Sequence, residues 1–216
     1  PASSGASEIN ELTDALIEDT GSMYVGNDPS STTNGANYNV AVGTTALDAI
    51  EEGDNNTAVG YNALTSNTAG AGNTALGYET LKDNVTTSYN VAVGNNALEK
   101  NTGGYNTAMG NSSLTNKVSG GYNTAIGHTA GNNITSGSDN VLIGYNTDGS
   151  SATPTNQIVI GKGTSGQADN SVTLGNADVT AVYMAQDKGA TVHAAGISLE
   201  NNETITNTTD GEITMT

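Results

Sequence analysis

The chain has 216 residues, with no cysteine, tryptophan or phenylalanine and with 28 glycines. Its 22 acidic side chains outnumber 5 basic ones, giving a formal net charge of −17. This charge argues against binding to nucleic acid or to an anionic membrane surface, because phosphate contacts require lysine and arginine. Only 34% of the residues are hydrophobic. A thick core of large side chains is therefore excluded, and the periodicity described below favours a thin, regular core over disorder.

The first segment, residues 1–21, is predicted to be an N-terminal cap or a short coiled coil. Residues 7–18 predict a short helix, because Ile9, Leu12 and Leu16 recur at intervals of three and four residues behind a favourable N-cap serine. Two helical turns with one apolar stripe are not stable alone. The stripe fits either a coiled coil about a threefold axis or a single helix that covers the end of the next domain.

The second segment, residues 22–176, contains one motif that recurs about every 17 residues. Strict copies read Asn-(Val/Thr)-Ala-apolar-Gly, and looser copies end at Gly26, Gly161 and Gly175. Glycine supplies the backbone angles of a tight bend, and asparagine is expected to stack from repeat to repeat as an amide ladder. The predicted structural ladder comprises Asn39, Asn56, Asn73, Asn90, Asn106, Asn123 and Asn140, together with Gly43, Gly60, Gly77, Gly94, Gly110, Gly127 and Gly144.

Each repeat is read as a strand, a glycine bend, a short strand and a polar loop. The glycine, asparagine and β-branched content and the two-residue alternation inside each motif exclude helix. The repeats are also too short for propeller blades. The sequence therefore predicts an all-β protein, a β-solenoid of about ten 17-residue coils.

The alternation along each strand assigns its two faces. Positions are counted from the motif glycine as zero. We expect positions −3 and −1 to lie inside the coil with the leucine at +4, which places in the core Val42, Val59, Leu76, Val93, Met109, Ile126 and Ile143, with Leu47, Leu64, Leu81, Leu98 and Leu114. Position −2 then faces outward as a trimer face or, in the alternative, fits a tight bend within its own chain; it holds Ala41, Ala58, Ala75, Ala92, Ala108 and Ala125.

Candidate chemistry is sparse. Tyrosines recur just before the asparagine and just after the glycine, where they form either a carbohydrate-stacking surface or a cover for the corners of the coil. His128 and His193 lie in different regions, and no spacing indicates a catalytic triad, a phosphate loop or a metal cluster. We predict no enzyme, no cofactor and no metal, with a weak solvent-facing Ca²⁺ between coils left open.

After Gly175 the motif stops, and residues 177–216 are predicted to form a β-rich neck in which chains exchange strands. Turns are expected at Asp187–Gly189 and at Gly196. No apolar run reaches the length needed to span a membrane, so we expect no membrane insertion in this segment.

The segment Asn56–Leu64, with the sequence Asn-Thr-Ala-Val-Gly-Tyr-Asn-Ala-Leu, resembles the repeats of trimeric β-roll fibres. It is similar to the left-handed parallel β-roll of YadA-like trimeric autotransporter adhesin heads. It looks still more like marine phage tail fibres, whose coils are followed by a neck like residues 170–199. The resemblance spans roughly residues 22–200 and implies an extracellular homotrimer that recognises a cell-surface glycan or protein receptor. The 17-residue coil is longer than that usual in adhesin heads.

We therefore expect a structural and host-recognition segment of a trimeric extracellular fibre, exposed on a virion as part of a phage tail fibre. The alternative is the head domain of a bacterial trimeric adhesin, exposed on the bacterial cell surface and binding host or matrix surfaces. A glycan-degrading tail spike would need paired carboxylates in a groove. Acidic residues such as Glu51, Glu52 and Asp54 instead lie mostly in the polar connections, which argues against that activity.

Overall fold

The computed structural model describes residues 15–17, 21–26, 34–116 and 118–182. The chain divides into two compact units, Pro1–Thr180 and Ala181–Thr216. The first unit holds eleven strands that form one sheet in chain order: β1 (Ala15–Ile17), β2 (Met23–Val25), β3 (Val40–Val42), β4 (Thr57–Val59), β5 (Thr74–Leu76), β6 (Val91–Val93), β7 (Thr107–Met109), β8 (Thr124–Ile126), β9 (Val141–Ile143), β10 (Gln157–Ile160) and β11 (Ser171–Leu174). No helix occurs among the described residues.

Strands β2–β11 run parallel, and each pairs with the next strand along the chain. Residues at the same distance from the glycine lie side by side, so that Ala58 pairs with both Ala41 and Ala75. The chain makes one turn between successive strands, which builds a parallel β-solenoid of about eight turns. The predicted all-β solenoid is confirmed.

Strand β1 lies where the sequence predicted the end of a helix. It runs antiparallel to β2, with Leu16 opposite Tyr24. The helix predicted over residues 7–18 is therefore wrong at residues 15–17. A two-turn helix is marginal in isolation, whereas the open edge of β2 offers backbone hydrogen bonds that a strand satisfies. Residues 1–14, 18–20 and 183–216, and with them most of the predicted cap and neck, lie outside the described residues.

The interior of the coil is lined by position −2 and not by positions −3 and −1. Ala75 is fully buried, whereas its neighbour Leu76 is 47% exposed. The predicted faces of the strand are thus reversed: Val42, Val59, Leu76, Val93, Met109, Ile126 and Ile143 are all exposed or half-buried. The leucines at +4 are buried as predicted: Leu47, Leu64, Leu81, Leu98 and Leu114. Because these leucines fill the narrow interior, the strand position that faces them accepts only a small side chain.

The alanine column is consequently not a contact surface for sister chains. All six alanines have no exposed surface within their own chain: Ala41, Ala58, Ala75, Ala92, Ala108 and Ala125. A side chain already enclosed by its own coil cannot touch another molecule unless the coil opens. The predicted trimer face at −2 is therefore wrong. The alternative that the alanine is required by its own chain agrees with the structure.

Candidate assembly surface

Asparagine at −4 forms a buried hydrogen-bond ladder that runs through the solenoid. The side-chain Oδ1 of Asn56 accepts the backbone N–H of Asn73 at 2.9 Å and the side-chain amide of Asn73 at 3.2 Å. The Asn56 amide itself donates to the Gly70 carbonyl at 2.9 Å. The seven predicted positions share this ladder and are fully buried: Asn39, Asn56, Asn73, Asn90, Asn106, Asn123 and Asn140. Ser22 and Gln157 occupy the equivalent positions at its two ends.

A second asparagine ladder lies at position +7 and was missed by the sequence analysis. The Asn84 amide donates to Oδ1 of Asn67 at 3.2 Å, and the Asn101 amide donates to Oδ1 of Asn84 at 3.2 Å. All three side chains are fully buried, and Ile50 and Ile134 are buried residues at the same position of other repeats. The signal was available, because these asparagines also recur at 17-residue intervals outside the motif.

Glycine at position 0 is required by both its backbone angles and the close approach of successive repeats. In the seven predicted positions φ lies between +132° and +142°, a region that disfavours residues with a Cβ. A Cβ added to Gly43 would lie 2.7 Å from the carbonyl oxygen of Gly60 in the next repeat. The seven glycines are Gly43, Gly60, Gly77, Gly94, Gly110, Gly127 and Gly144.

The outward side of the sheet is formed by positions −3 and −1 of strands β2–β11 and is called the apolar face here. Its side chains are exposed or half-buried, and none of its twenty residues is charged. The −3 column is Met23, Val40, Thr57, Thr74, Val91, Thr107, Thr124, Val141, Ile158 and Val172. The −1 column is apolar at every position: Val25, Val42, Val59, Leu76, Val93, Met109, Ile126, Ile143, Ile160 and Leu174.

Two columns, at positions −5 and +1, flank the apolar face and are called the flanks. They carry seven of the nine tyrosines of the chain: Tyr38, Tyr61, Tyr78, Tyr89, Tyr105, Tyr122 and Tyr145. Rings on one flank stack on each other, with centroids 4.9 Å apart for Tyr105 and Tyr122 and 5.5 Å apart for Tyr61 and Tyr78. A saccharide stacks on a free ring face. Within each stack the neighbouring rings occupy those faces, so free faces are left only at the stack ends.

Charged side chains lie mainly in the connections that follow the glycine. Lys82 contacts Glu79 at 3.3 Å and Glu99 at 4.0 Å. Partial desolvation raises the pKa of Glu79, but hydrogen bonds from Lys82 and Asn62 outweigh it, and the net pKa is lowered. The Glu79 carboxylate in turn raises the pKa of Tyr78 by charge repulsion. These three side chains are half-buried and remain in contact with solvent, which screens their pairing, so the cluster forms part of a polar rim.

Metal and membrane sites were also sought in the part of the chain that the structure describes. No group of three or more histidine, cysteine, aspartate or glutamate side chains there could hold a metal ion. The same residues contain no helix that is long and apolar enough to cross a membrane. The apolar face and its flanks are the candidate surface considered below.

Comparison with known proteins assigns no family to the chain. No protein-family model matches it, and no curated protein matches it. Its function is therefore argued from the repeat pattern and from the apolar face.

Proposed function

We propose that the chain is a structural and host-recognition segment of a homotrimeric extracellular fibre, of the phage tail-fibre type and without enzymatic activity. The observation that carries the proposal is the apolar face, which offers twenty uncharged positions on ten consecutive strands of a chain with a net charge of −17. Soluble monomers rarely expose a contiguous apolar patch of more than a few hundred Å². A surface of this kind is explained by burial against other copies of the chain.

The dimensions of the face suit a stable interface. Ten strands stacked at about 4.8 Å give a length of roughly 43 Å, and the seven residues from flank to flank span at most about 20 Å. The product is roughly 850 Å², close to the ~800 Å² per partner of a standard protein–protein interface. One face of each chain is therefore large enough to hold an oligomer together.

The same dimensions limit the number of chains around a common axis. Three walls about 20 Å wide place each sheet about 6 Å from the axis, near half the ~10 Å separation of packed sheets. Four walls would leave each sheet about 10 Å from the axis and create a void that the side chains could not fill. The resemblance to trimeric β-roll repeats favours three chains over two and adds the expectation of a left-handed coil.

The recognition role is supported by what such an assembly leaves outside. With the apolar faces turned inward, the connections that carry Glu51, Glu52 and Lys82 face solvent around the fibre. They are the surface available to a cell-surface glycan or protein receptor. Tail fibres are the closer of the two resemblances, and this supports a position on a virion tail.

The assembly is tested by light scattering and sedimentation of the purified chain. We expect a mass three times the 21.6 kDa of one chain. A stable, folded monomer at micromolar concentration would overturn the trimer.

Recognition is tested with the labelled trimer on a panel of bacterial cells, using cells stripped of surface glycans as the control. Release of sugar fragments from those cells by the trimer would contradict the non-enzymatic assignment.

A further inference from the structure

The two flanks are complementary to each other, strand by strand. A rung is defined here as one parallel strand with its glycine and its two flank residues, and it is named by the glycine. Each of the seven rungs from Gly43 to Gly144 carries one tyrosine. Listed as −5 and +1 residues, the pairs are Tyr38 and Thr44, Asn55 and Tyr61, Gly72 and Tyr78, Tyr89 and Asn95, Tyr105 and Asn111, Tyr122 and His128, and Asp139 and Tyr145.

The tyrosines therefore switch sides in blocks along the stack, and the opposite flank is small or polar beside all but one of them. Six of the seven tyrosines lie opposite Gly, Asn, Thr or Asp, and one lies opposite His128. The rings project from the protein, since Tyr38 is 67% exposed and Tyr145 is 56% exposed. Where a flank lacks a ring, its smaller side chain leaves a gap, for example Asn111 opposite Tyr105.

This pattern has a direct consequence in the assembly proposed above, on which the present inference rests. When the apolar faces turn toward a common axis parallel to the stack, the −5 flank of one chain lies against the +1 flank of its neighbour. If the chains are also parallel and in register, both flanks come from rungs of the same number. Six of the seven tyrosines of one chain then lie against a small or polar residue of the next, and rings meet only at the Gly127 rung, where Tyr122 lies against His128.

We propose that the flanks form a register code, in which tyrosine on one flank docks into the gap on the partner copy and fixes the copies parallel and unshifted. The apolar face cannot supply this information, because its −1 column is apolar at every rung and would pack almost equally well after a one-rung shift. A one-rung shift in one direction brings Tyr78 of one copy against Tyr89 of the next, and a shift in the other direction brings Tyr61 against Tyr38 and Tyr145 against Tyr122. The code therefore selects register, while the face supplies the buried area.

Contacts inside one chain do not account for the alternation. Tyr89 covers Gly72 of the preceding rung, where an added Cβ would lie 2.9 Å from its ring, and Tyr38 covers Gly21 in the same way. These contacts explain why a ring lies over a glycine on its own flank. They place no requirement on position +1, on the other side of the strand.

The Gly94 rung allows the code to be broken and restored. Asn95→Tyr puts two rings on this rung, and we expect the oligomer to dissociate at a concentration about tenfold higher or more in sedimentation velocity, as overpacked interfaces do. The swap Tyr89→Asn with Asn95→Tyr moves the ring across and restores one ring per rung. It should return the oligomer to within about threefold of the wild type. Position 89 has a φ of +60°, which asparagine tolerates.

Asn176→Tyr is the matched control, because the Gly175 rung has asparagine on both flanks and an added ring meets no other ring. It should leave the oligomer unchanged. If Asn95→Tyr is as harmless as Asn176→Tyr while the wild type is oligomeric, the register code is wrong and the proposed assembly stands. If the wild type is a folded monomer, the assembly and the code both fail.

Cysteine cross-linking tests the register itself, since the chain has no native cysteine. In the variant Tyr89→Cys with Asn95→Cys, the two cysteines of one chain are separated by roughly 15–20 Å of extended strand, beyond disulfide reach. Oxidation should therefore yield chains linked to one another on a non-reducing gel. The pair Tyr89→Cys with Tyr145→Cys is displaced by three rungs, about 14 Å, and should remain unlinked. Linkage of the displaced pair in preference to the same-rung pair would overturn the in-register arrangement.

Discussion

At the scale of the residue, the asparagine at −4 is specified by its hydrogen bonds. Asn73 donates its backbone and side-chain N–H groups to Asn56, and its own Oδ1 accepts the N–H of Asn90 at 3.0 Å. Its amide also donates to the Thr87 carbonyl at 2.9 Å. No other small side chain offers both an acceptor and two donors at this position. The recurrence of asparagine was sufficient to predict this ladder from the sequence.

Replacing Asn73 with aspartate tests the ladder. The substitution keeps the shape but removes two donors and buries a charge, so we expect the free energy of unfolding to fall by about 3 kcal/mol or more at neutral pH. The folded-state pKa of the new carboxyl should be raised, so the penalty relative to wild type should shrink as the pH falls and the carboxyl becomes protonated. Guanidinium titration at pH 7 and pH 4 measures both effects. Asn34→Asp, at an exposed site, should change stability by less than about 0.5 kcal/mol.

The motif glycine combines two constraints that a second experiment separates. Gly77→Ala places a Cβ against the Gly94 carbonyl oxygen and also occupies a φ of +137°. Gly35→Ala suffers only the unfavourable backbone angle, because nothing lies within 4 Å of its added Cβ. We expect Gly35→Ala to cost about 1–2 kcal/mol and Gly77→Ala clearly more. Equal losses in thermal unfolding would mean that the close approach of successive rungs is relaxed at no cost.

At the scale of the element, the sequence predicted the parallel strands β2–β11 but not which side of each faces inward, and the second short strand that it predicted in each repeat is a turn in the structure. The two-residue alternation correctly placed Ala75 on one face and Leu76 on the other. The larger side chains were assigned to the interior by the usual preference for burying them. In a coil this narrow, Leu81 at +4 already fills the interior, and only alanine fits opposite it. Such a volume limit depends on how the coil closes, which the pattern along one strand does not contain.

The neighbouring pair Ala75 and Leu76 tests this assignment on strand β5. Ala75→Gln inserts a long polar side chain into a filled interior, and we expect the free energy of unfolding to fall by about 2–4 kcal/mol. Leu76→Gln changes only the outward face, so circular dichroism should show an intact fold while the oligomer dissociates more readily on dilution. The opposite result, with an intact fold for Ala75→Gln and unfolding for Leu76→Gln, would restore the arrangement expected from the sequence.

At the scale of the whole molecule, the repeat period was enough to predict a solenoid, because each repeat pairs with the next in chain order. The second asparagine ladder and the complementary flanks were not predicted, because the first recurs outside the motif and the second is visible only when positions −5 and +1 of one rung are compared. The arrangement of the repeats also determines where the charged side chains lie. All twenty positions of the apolar face are uncharged, so the net charge of −17 per chain lies elsewhere. The proposed assembly would therefore bring strongly acidic molecules together through a neutral surface.

This distribution predicts how the oligomer responds to salt. Like-charge repulsion between chains opposes assembly, and added salt shortens the Debye length from about 30 Å at 0.01 M to about 8 Å at 0.15 M. The apolar contact itself is not weakened by this screening. We therefore expect the dissociation constant to fall as sodium chloride rises over that range, and to fall further with sulfate, which strengthens apolar burial.

The matched control is Glu52→Gln, which removes one charge from a connection and should leave the fold unchanged while slightly reducing the salt dependence. Sedimentation velocity across a dilution series at each salt concentration measures the effect. An oligomer that dissociates as salt is added would instead be held by ion pairs between chains, and the apolar face would not be its interface.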